Sequence, residues 1–415
     1  MKVLYNISIF LIGFGLRFLS LFNPKAREFV TGRRQIFPKI REALKDNTAP
    51  VIWLHCASLG EFEQGRPLLE AFRRELPSYK IFLTFFSPSG YTVRKNSSGA
   101  DYVFYLPLDT RKNAKKFISI VKPTMAIFVK YEFWYHYTRI LKKRKIPVIS
   151  VSSIFRKNQL YFRKTGNFNR RILKNITHFF VQNGESLELL RSIDIYNATL
   201  SGDTRFDRVR KIVDMAEEVP IVQRFKGNDR VFVVGSAWQE DIDVLMPFMN
   251  EEKLKFIIAP HEIHQHQLDA LQKSLVVKSV LYSQADEDGV EDATVLIIDN
   301  VGMLSRLYRY GEFAFVGGAY GKGLHNILEA ACYGMPILFG DKNYEKFQEA
   351  MDLINRGGAF PVRDYPDLKK KFELLNTPET FQLACEVTRQ YVTENTGATE
   401  KVMDYCRQVL LKPGV

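Results

Sequence analysis

Cysteine is scarce and scattered. The chain has 415 residues and four cysteines, Cys56, Cys332, Cys385 and Cys406, with no CxxC spacing among them. That argues against a disulfide framework or a structural zinc and fits a reducing compartment. The seven histidines include no HExxH pair, so a catalytic zinc is not expected. His261 and His264 would share a helical face and His266 would not, so this group is not read as a metal site and no metal cofactor is expected. No Gly/Ser-rich or acidic tract reads as disordered, and no repeat of fixed period is present. The Walker A pattern is absent, and there is no good GxGxxG fingerprint.

Long apolar runs are also missing, with one exception. Val3–Phe22 is apolar apart from Asn6, Ser8, Arg17 and Ser20. A spanning helix needs about 20 apolar residues, so the segment is marginal. It is followed not by a small-residue cleavage site but by Asn23-Pro24-Lys25, Arg27, Arg33 and Arg34. Such a basic flank stays cytoplasmic. Residues 1–24 are therefore expected to form an uncleaved anchor or a monotopic helix; the plainer reading is a buried first helix.

What is present is charge, unevenly placed. Residues 1–210 hold 37 Lys/Arg against 15 Asp/Glu, and residues 211–415 hold 22 against 31. The sign change suggests two domains with different partners, the first drawn to something anionic such as phospholipid headgroups, a phosphorylated acceptor or nucleic acid. A 46% hydrophobic content is enough for substantial cores in a chain this long. Short β-rich runs alternate with helical stretches: VIWLHC (51–56), KIFLTFF (80–86), MAIFV (125–129) and PVISV (147–151), then RVFVV (230–234), KFIIA (255–259), TVLII (294–298), FAFV (313–316) and PILF (336–339). Alternation of this kind predicts two doubly wound parallel sheets. The expected division is 25–210 for one domain, 211–385 for the next and a C-terminal helix over 386–415 that packs back on the first, with the boundary near 203–219. Pro378–Leu411 reads as one long helical stretch.

Candidate site residues follow the strands, where open α/β sheets bind ligands. Glu61 follows the first strand in HCASLGEFE and is suited to act as a general base on a sugar hydroxyl. On spacing alone, Ser58-x-x-Glu61 as a capping box is the commoner explanation. Glu132, with Lys130, follows a third strand in VKYEFW; the bland reading is a first-turn carboxylate favouring the helix dipole. Ser87, Ser89 and Gly90 end another strand and offer backbone N–H groups to an anion, or form an ordinary N-cap. In the second half, Ser236 in GSAW opens a helix with N–H groups directed at the ligand side. Pro260-His261 follows KFIIA, and Val301-Gly302-Met303 follows TVLII. Gly317 and Gly318 begin a Gly-rich loop that would let backbone approach a phosphate. Asn326-Ile327-Leu328-Glu329 comes next, with Asn326 and Glu329 one helical turn apart, so that a carboxylate can accept ribose hydroxyls. For each, an ordinary βα turn is the alternative.

Taken in order, HCASLGEFE, KYEFW, GSAW, APHE and FVGGAYGKGLHNILEAACYGMPILFG resemble the 3-deoxy-D-manno-octulosonic acid (Kdo) transferases, from the N-terminal segment to about Ala359. The resemblance implies a GT-B fold, with two Rossmann-like domains whose parallel sheets face a central cleft. It implies an inverting, metal-independent transfer of Kdo from CMP-Kdo to a lipid A precursor (lipid IVA) in lipopolysaccharide synthesis, at the cytoplasmic face of the inner membrane. Glu61 matches the family's catalytic base and Glu132 its second carboxylate. Pro260, His261, Val301–Met303 and Asn326–Glu329 match its CMP-binding loops. Tyr320 and Lys322 depart from the pattern and bear on donor or acceptor contacts. Two rivals are a GT-B enzyme using a UDP-sugar on another lipid and, from a different class, a nucleic-acid-binding α/β protein. No nucleic-acid motif supports the latter.

Overall fold

The computed structural model describes residues 1–96, 99–215, 217–285 and 289–411. The chain forms two compact units. The first comprises Met1–Asp207 and the chain from Gly397 onward; the second is Arg208–Thr396.

The first unit is built on seven strands: β1 (Val51–Cys56), β2 (Lys80–Phe85), β3 (Tyr102–Tyr105), β4 (Pro123–Val129), β5 (Val148–Ser153), β6 (His178–Val181) and β7 (Ala198–Leu200). Their order is β3-β2-β1-β4-β5-β6-β7, every neighbouring pair parallel. Helices cover the sheet, so the central strands are buried on both faces and read as continuous apolar runs. All six residues of β1 are buried, His55 included. The 59–75 helix lies close over β1 and β4 because Gly65 has no side chain: a Cβ there would sit 3.1 Å from Cys56 Sγ and 3.2 Å from Val129 Cγ2.

The second unit repeats the plan with β8 (Val231–Ala237), β9 (Lys255–Pro260), β10 (Ser279–Leu281), β11 (Val295–Ile297), β12 (Phe313–Val316), β13 (Ile337–Gly340) and β14 (Ala359–Val362). The order is β10-β11-β9-β8-β12-β13-β14, again parallel. β10 and β14 are additions to the sequence reading; three or four residues at a sheet edge carry too little periodicity to be found.

The expected long C-terminal helix is two helices, Pro378–Asn395 and Ala398–Leu410, broken at Gly397, whose φ of +98° no helix accommodates. The chain returns to the first unit there rather than at residue 386. Asp207 receives it, accepting hydrogen bonds from Gly397 N (2.5 Å), Thr399 N (2.6 Å) and Thr399 Oγ1 (2.6 Å). Val402, Met403 and Cys406 then join the apolar layer of Leu69, Ile127 and Phe180. Residues 412–415 of the expected C-terminal segment lie outside those described.

The N-terminal helix, Lys2–Leu19, is long and apolar enough to cross a membrane. One edge of it rests on the first unit: Tyr5 Oη donates to Asp109 Oδ2 (2.6 Å), Asn6 Oδ1 meets His136 Nε2 (2.8 Å), and Ile9 is buried. The remaining apolar side chains, Val3, Ile7, Phe10, Leu11, Phe14 and Phe18 among them, are exposed.

Candidate functional site

Strand order decides where each unit can bind a ligand. A doubly wound sheet has a switch point where consecutive strands diverge to opposite sides, and the carboxyl ends of those strands frame a crevice. In the first unit the switch lies between β1 and β4, and in the second between β8 and β12. Glu61 follows β1 and Glu132 follows β4. Ser236 lies inside β8, one residue before its end, and Gly317-Gly318 follows β12. The sequence had placed these residues after strands; the topology selects these four strands.

Glu61 is 8% exposed, in the first turn of the 59–75 helix. The capping box is not made. Ser58 caps nothing with its side chain, and the Glu61 carboxylate accepts a 2.5 Å hydrogen bond from Ala57 N instead. Burial and the neighbouring Glu132 push the Glu61 carboxyl up to about 7, against the pull of the Ala57 N–H and Lys130. A carboxylate so poised is half ionised near neutral pH, the range in which a general base works best.

Glu132 is not a first-turn helix residue. It sits three residues before the Tyr135–Lys143 helix, in a loop that begins at Lys130, whose φ is +58°. Two hydroxyls hold that left-handed residue: Ser150 Oγ and Ser153 Oγ donate to Lys130 O at 2.8 and 2.9 Å. Behind Glu132 stands His55, fully buried, with Nε2 3.8 Å from Glu132 Oε2 and no hydrogen-bond partner at that nitrogen. His55 Nδ1 lies 2.9 Å from Thr84 Oγ1, which also accepts from Trp53 Nε1 at 2.8 Å. His55 Nδ1 also lies 3.1 Å from Thr84 O, so Thr84 fixes the ring through both its hydroxyl and its carbonyl, with Nε2 facing Glu132. The sequence reading assigned no role to His55, Thr84 or Trp53. The signal was a polar residue inside an apolar strand, twice over, at paired positions: His55 lies opposite Thr84.

The Ser87–Gly90 loop is less free than expected of an anion-holding turn. Ser87 N donates to Ala57 O (2.7 Å), and the Ser87 and Ser89 hydroxyls pair with each other (2.7 Å). Gly90 is required because a Cβ would fall 2.2 Å from the Phe85 ring.

In the second unit the Gly-rich loop differs from a phosphate cradle. Four of its amides are already used: Gly317 N donates to Gly235 O, Gly318 N to Asp241 Oδ2, and Gly321 N and Gly323 N to Gly318 O. Nor are the N–H groups of GSAW all free, because Trp238 N donates to the same Asp241 oxygen at 2.8 Å. Asp241, fully buried in the first turn of the Gln239–Glu251 helix, ties the end of β8 to the end of β12. Gly317 must be glycine, since a Cβ would lie 2.5 Å from Ser236 O. Ser236 itself has φ +53°, at a bulge where β8 loses register with β9.

This tight packing presents side chains rather than amides. His261 stacks over both Trp238 and His325, with its ring centroid 4.2 and 4.5 Å from theirs. Trp238 Nε1 donates to His325 Nε2 at 3.0 Å, and Lys322 Nζ lies 3.8 Å over the Trp238 ring. Burial and the neighbouring His261 hold His325 down to about 4, and burial also lowers His261, so both rings are neutral at physiological pH. Lys322 supplies the positive charge. Of this group the sequence had picked His261 with its neighbour Pro260, and had noted Lys322 only as a departure.

Asn326 precedes its helix, which runs only from Leu328 to Ala331, but Asn326 Nδ2 does donate to Glu329 Oε1 at 3.1 Å. Burial raises the Glu329 carboxyl above its ordinary range, and Asn326 and then Arg208 oppose the shift. Ile327 and Leu328 are buried. In the remaining loop Val301 is exposed, Gly302 has φ +91° and Met303 is buried. Leu304 and Tyr308 carry that loop to the end of β8, where both pack against Gly235. Among the described residues no group of three or more His, Cys, Asp or Glu could hold a metal ion.

Known proteins give this geometry relatives. The model of the 3-deoxy-D-manno-octulosonic-acid transferases (kdotransferase) matches residues 31–208. The chain is 26% identical over 363 residues to the 3-deoxy-D-manno-octulosonic acid transferase of Aquifex aeolicus, covering 84% of this chain and 92% of that one. It is 26% identical over 353 residues to the enzyme of the same name from Chlamydophila psittaci, covering 80% and 79%. Solved structures of like fold include UDP-GlcNAc 2-epimerase from Neisseria meningitidis bound to UDP-GlcNAc (TM-score 0.61, 14% identity, 88% of this chain and 100% of that one). Acinetobacter baumannii MurG is another (TM-score 0.57, 10% identity, 87% and 99%). With two parallel seven-stranded units of GT-B type and relatives of one name along most of its length, the chain is a glycosyltransferase similar to the 3-deoxy-D-manno-octulosonic acid transferases.

Proposed function

We propose that the protein transfers Kdo from CMP-Kdo to a lipid A precursor, lipid IVA, with inversion and without a metal ion, and that Glu61 is the general base. The observation that carries this reading is the Glu61 carboxyl itself, buried at a switch-point strand end beside Glu132 and held near 7. The acceptor hydroxyl oxygen attacks the anomeric carbon of Kdo as Glu61 takes its proton. The bond from that carbon to the CMP phosphate oxygen breaks with its electron pair, and CMP leaves. Glu132, oriented by His55, keeps the Glu61 carboxyl basic. Lys130 moderates that repulsion. Ser87, Ser89 and Gly90 border the acceptor side. In the second unit His261 and Lys322 suit the anionic groups of the donor, and Glu329, fixed by Asn326, suits its ribose hydroxyls.

The enzyme works at the cytoplasmic face of the inner membrane. The 2–19 helix, held edge-on by Tyr5, Asn6 and Ile9 with its apolar side exposed, suits a helix lying in the interface more than one crossing the bilayer. The basic first unit suits a phosphorylated acceptor on an anionic surface.

The test is transfer of radiolabelled Kdo from CMP-Kdo to tetraacylated lipid A precursor, with and without EDTA, by the wild type and Glu61→Gln. Transfer by the wild type in EDTA, and its loss in the variant, is the expected result. A folded wild type that binds UDP but not CMP in calorimetry would favour the UDP-sugar reading instead.

A further inference from the structure

A cavity of about 290 Å³ opens in the first unit between the start of one helix and the length of another. Its walls are Arg111 and Lys115 from the 111–121 helix, and His136, Arg139, Lys143 and Arg144 from the 135–143 helix and its cap. No carboxylate lines it. Among the described residues, Arg139 donates to Tyr135 Oη and Arg144 to Ser119 Oγ, both neutral. Arg111 with Lys115, and Arg139 with Lys143, are like charges one helical turn apart, an arrangement that destabilises a helix unless something anionic answers it.

The second observation is what stands beside the cavity. His136, one of its walls, is hydrogen-bonded to Asn6 of the N-terminal helix at 2.8 Å. That helix exposes Val3, Leu4, Ile7 and Phe10 on the turns around Asn6. A concave cluster of cations therefore adjoins a convex apolar face. Only an amphiphile with an anionic head satisfies both at once, and basic pockets beside apolar helices take phospholipid headgroups in this way.

We propose that this pocket holds the phosphate headgroup of an anionic phospholipid of the bilayer on which the N-terminal helix lies. A different basic cavity, of about 440 Å³, has Arg17, Arg33 and Arg34 in its walls. Arg33 also donates to Phe86 O (2.5 Å), directly before the Ser87–Gly90 loop. The 290 Å³ pocket is thus a membrane-reading site that orients the first unit on its surface. The proposal rests on the interfacial reading of the helix, and its test keeps the two apart.

Flotation of the full chain with phosphatidylcholine vesicles reads the helix; flotation with vesicles containing 20 mol% phosphatidylglycerol (about one lipid in five) reads the pocket. Arg139→Gln/Lys143→Gln is expected to lower partition onto the anionic vesicles about 30-fold, two interfacial charges at about fivefold each. Partition onto neutral vesicles stays unchanged. The charge-matched Lys112→Gln/Lys116→Gln, on the same helix as Arg111 but outside the cavity walls, loses less than about fivefold. Equal losses in the two double variants would reduce the pocket to diffuse surface charge and overturn the proposal. So would release of the wild type from anionic vesicles by millimolar inorganic phosphate at fixed ionic strength, which would make the ligand free phosphate. A raised KM for the acceptor in phospholipid-free detergent would make the pocket an acceptor subsite, also against the proposal. Failure of the wild type to float with neutral vesicles would count against the interfacial helix alone, since the anionic arm still reads the pocket.

Discussion

Replacing Glu61 by glutamine separates catalysis from stability. The side chain keeps its shape and can still accept the Ala57 N–H, but it has no charge and no basicity. A positioned general base contributes about 10²–10⁴-fold, so transfer should fall by that factor. In the wild type the base must be ionised, and its carboxyl is held up to about 7. The kcat/KM profile should therefore fall about tenfold per pH unit below 7 and level off above it. Stability moves the opposite way. The ionised form is disfavoured in the folded protein, so folding is helped below about pH 4.5 and loses that help as pH rises from there to about 7. Holding the carboxyl near 7 instead of 4.5 corresponds to about 3 kcal/mol against the charged native form. Glu61→Gln escapes that cost. Its melting temperature should match the wild type near pH 4.5 and exceed it by up to about 10 °C at pH 8.5. Transfer assays across pH 5–9, with thermal melts in the same buffers, check both halves. A variant within tenfold of wild-type rate would refute the base. A melting difference that does not grow with pH would refute the buried charge as the source of its tuning.

Three further substitutions test the surrounding structure. Thr84→Val strips the hydroxyl that serves Trp53 and His55, so chemical denaturation should show a loss of about 1–3 kcal/mol, with a fall in kcat at unchanged donor affinity. Gly317→Ala forces a Cβ to within 2.6 Å of Asp241 Oδ2 and should destabilise the second unit by about 1–3 kcal/mol in a melt. Unaltered stability would mean that the loop gives way freely. Glu329→Ala should weaken CMP about tenfold or more in calorimetry, the value of hydrogen bonds from hydroxyls to a charged acceptor. An unchanged dissociation constant would put the ribose elsewhere.

Sequence alone determined the alternation of strand and helix, because a parallel strand buried on both faces leaves a continuous apolar run that needs no tertiary context to be seen. It also determined that Glu61, Glu132 and Gly317 follow strands, and that the first half is basic beside an apolar N-terminus; Ser236, read as following a strand, lies within β8. Tertiary structure decided the rest, because contact between residues far apart in the chain has no local signature. Strand order put Glu61 and Glu132 on either side of one switch point, where burial, and after it the charge of Glu132, raises the Glu61 carboxyl. Register set His55 opposite Thr84. The single buried carboxylate of Asp241 holds the amide of Trp238 from GSAW and that of Gly318 from the Gly-rich motif, and the stacked rings of Trp238, His261 and His325 stand beside them. A capping box and a charged first turn are local readings of Glu61 and Glu132. Burial, which no window of sequence reports for a lone glutamate, is what turned Glu61 into a titrating group.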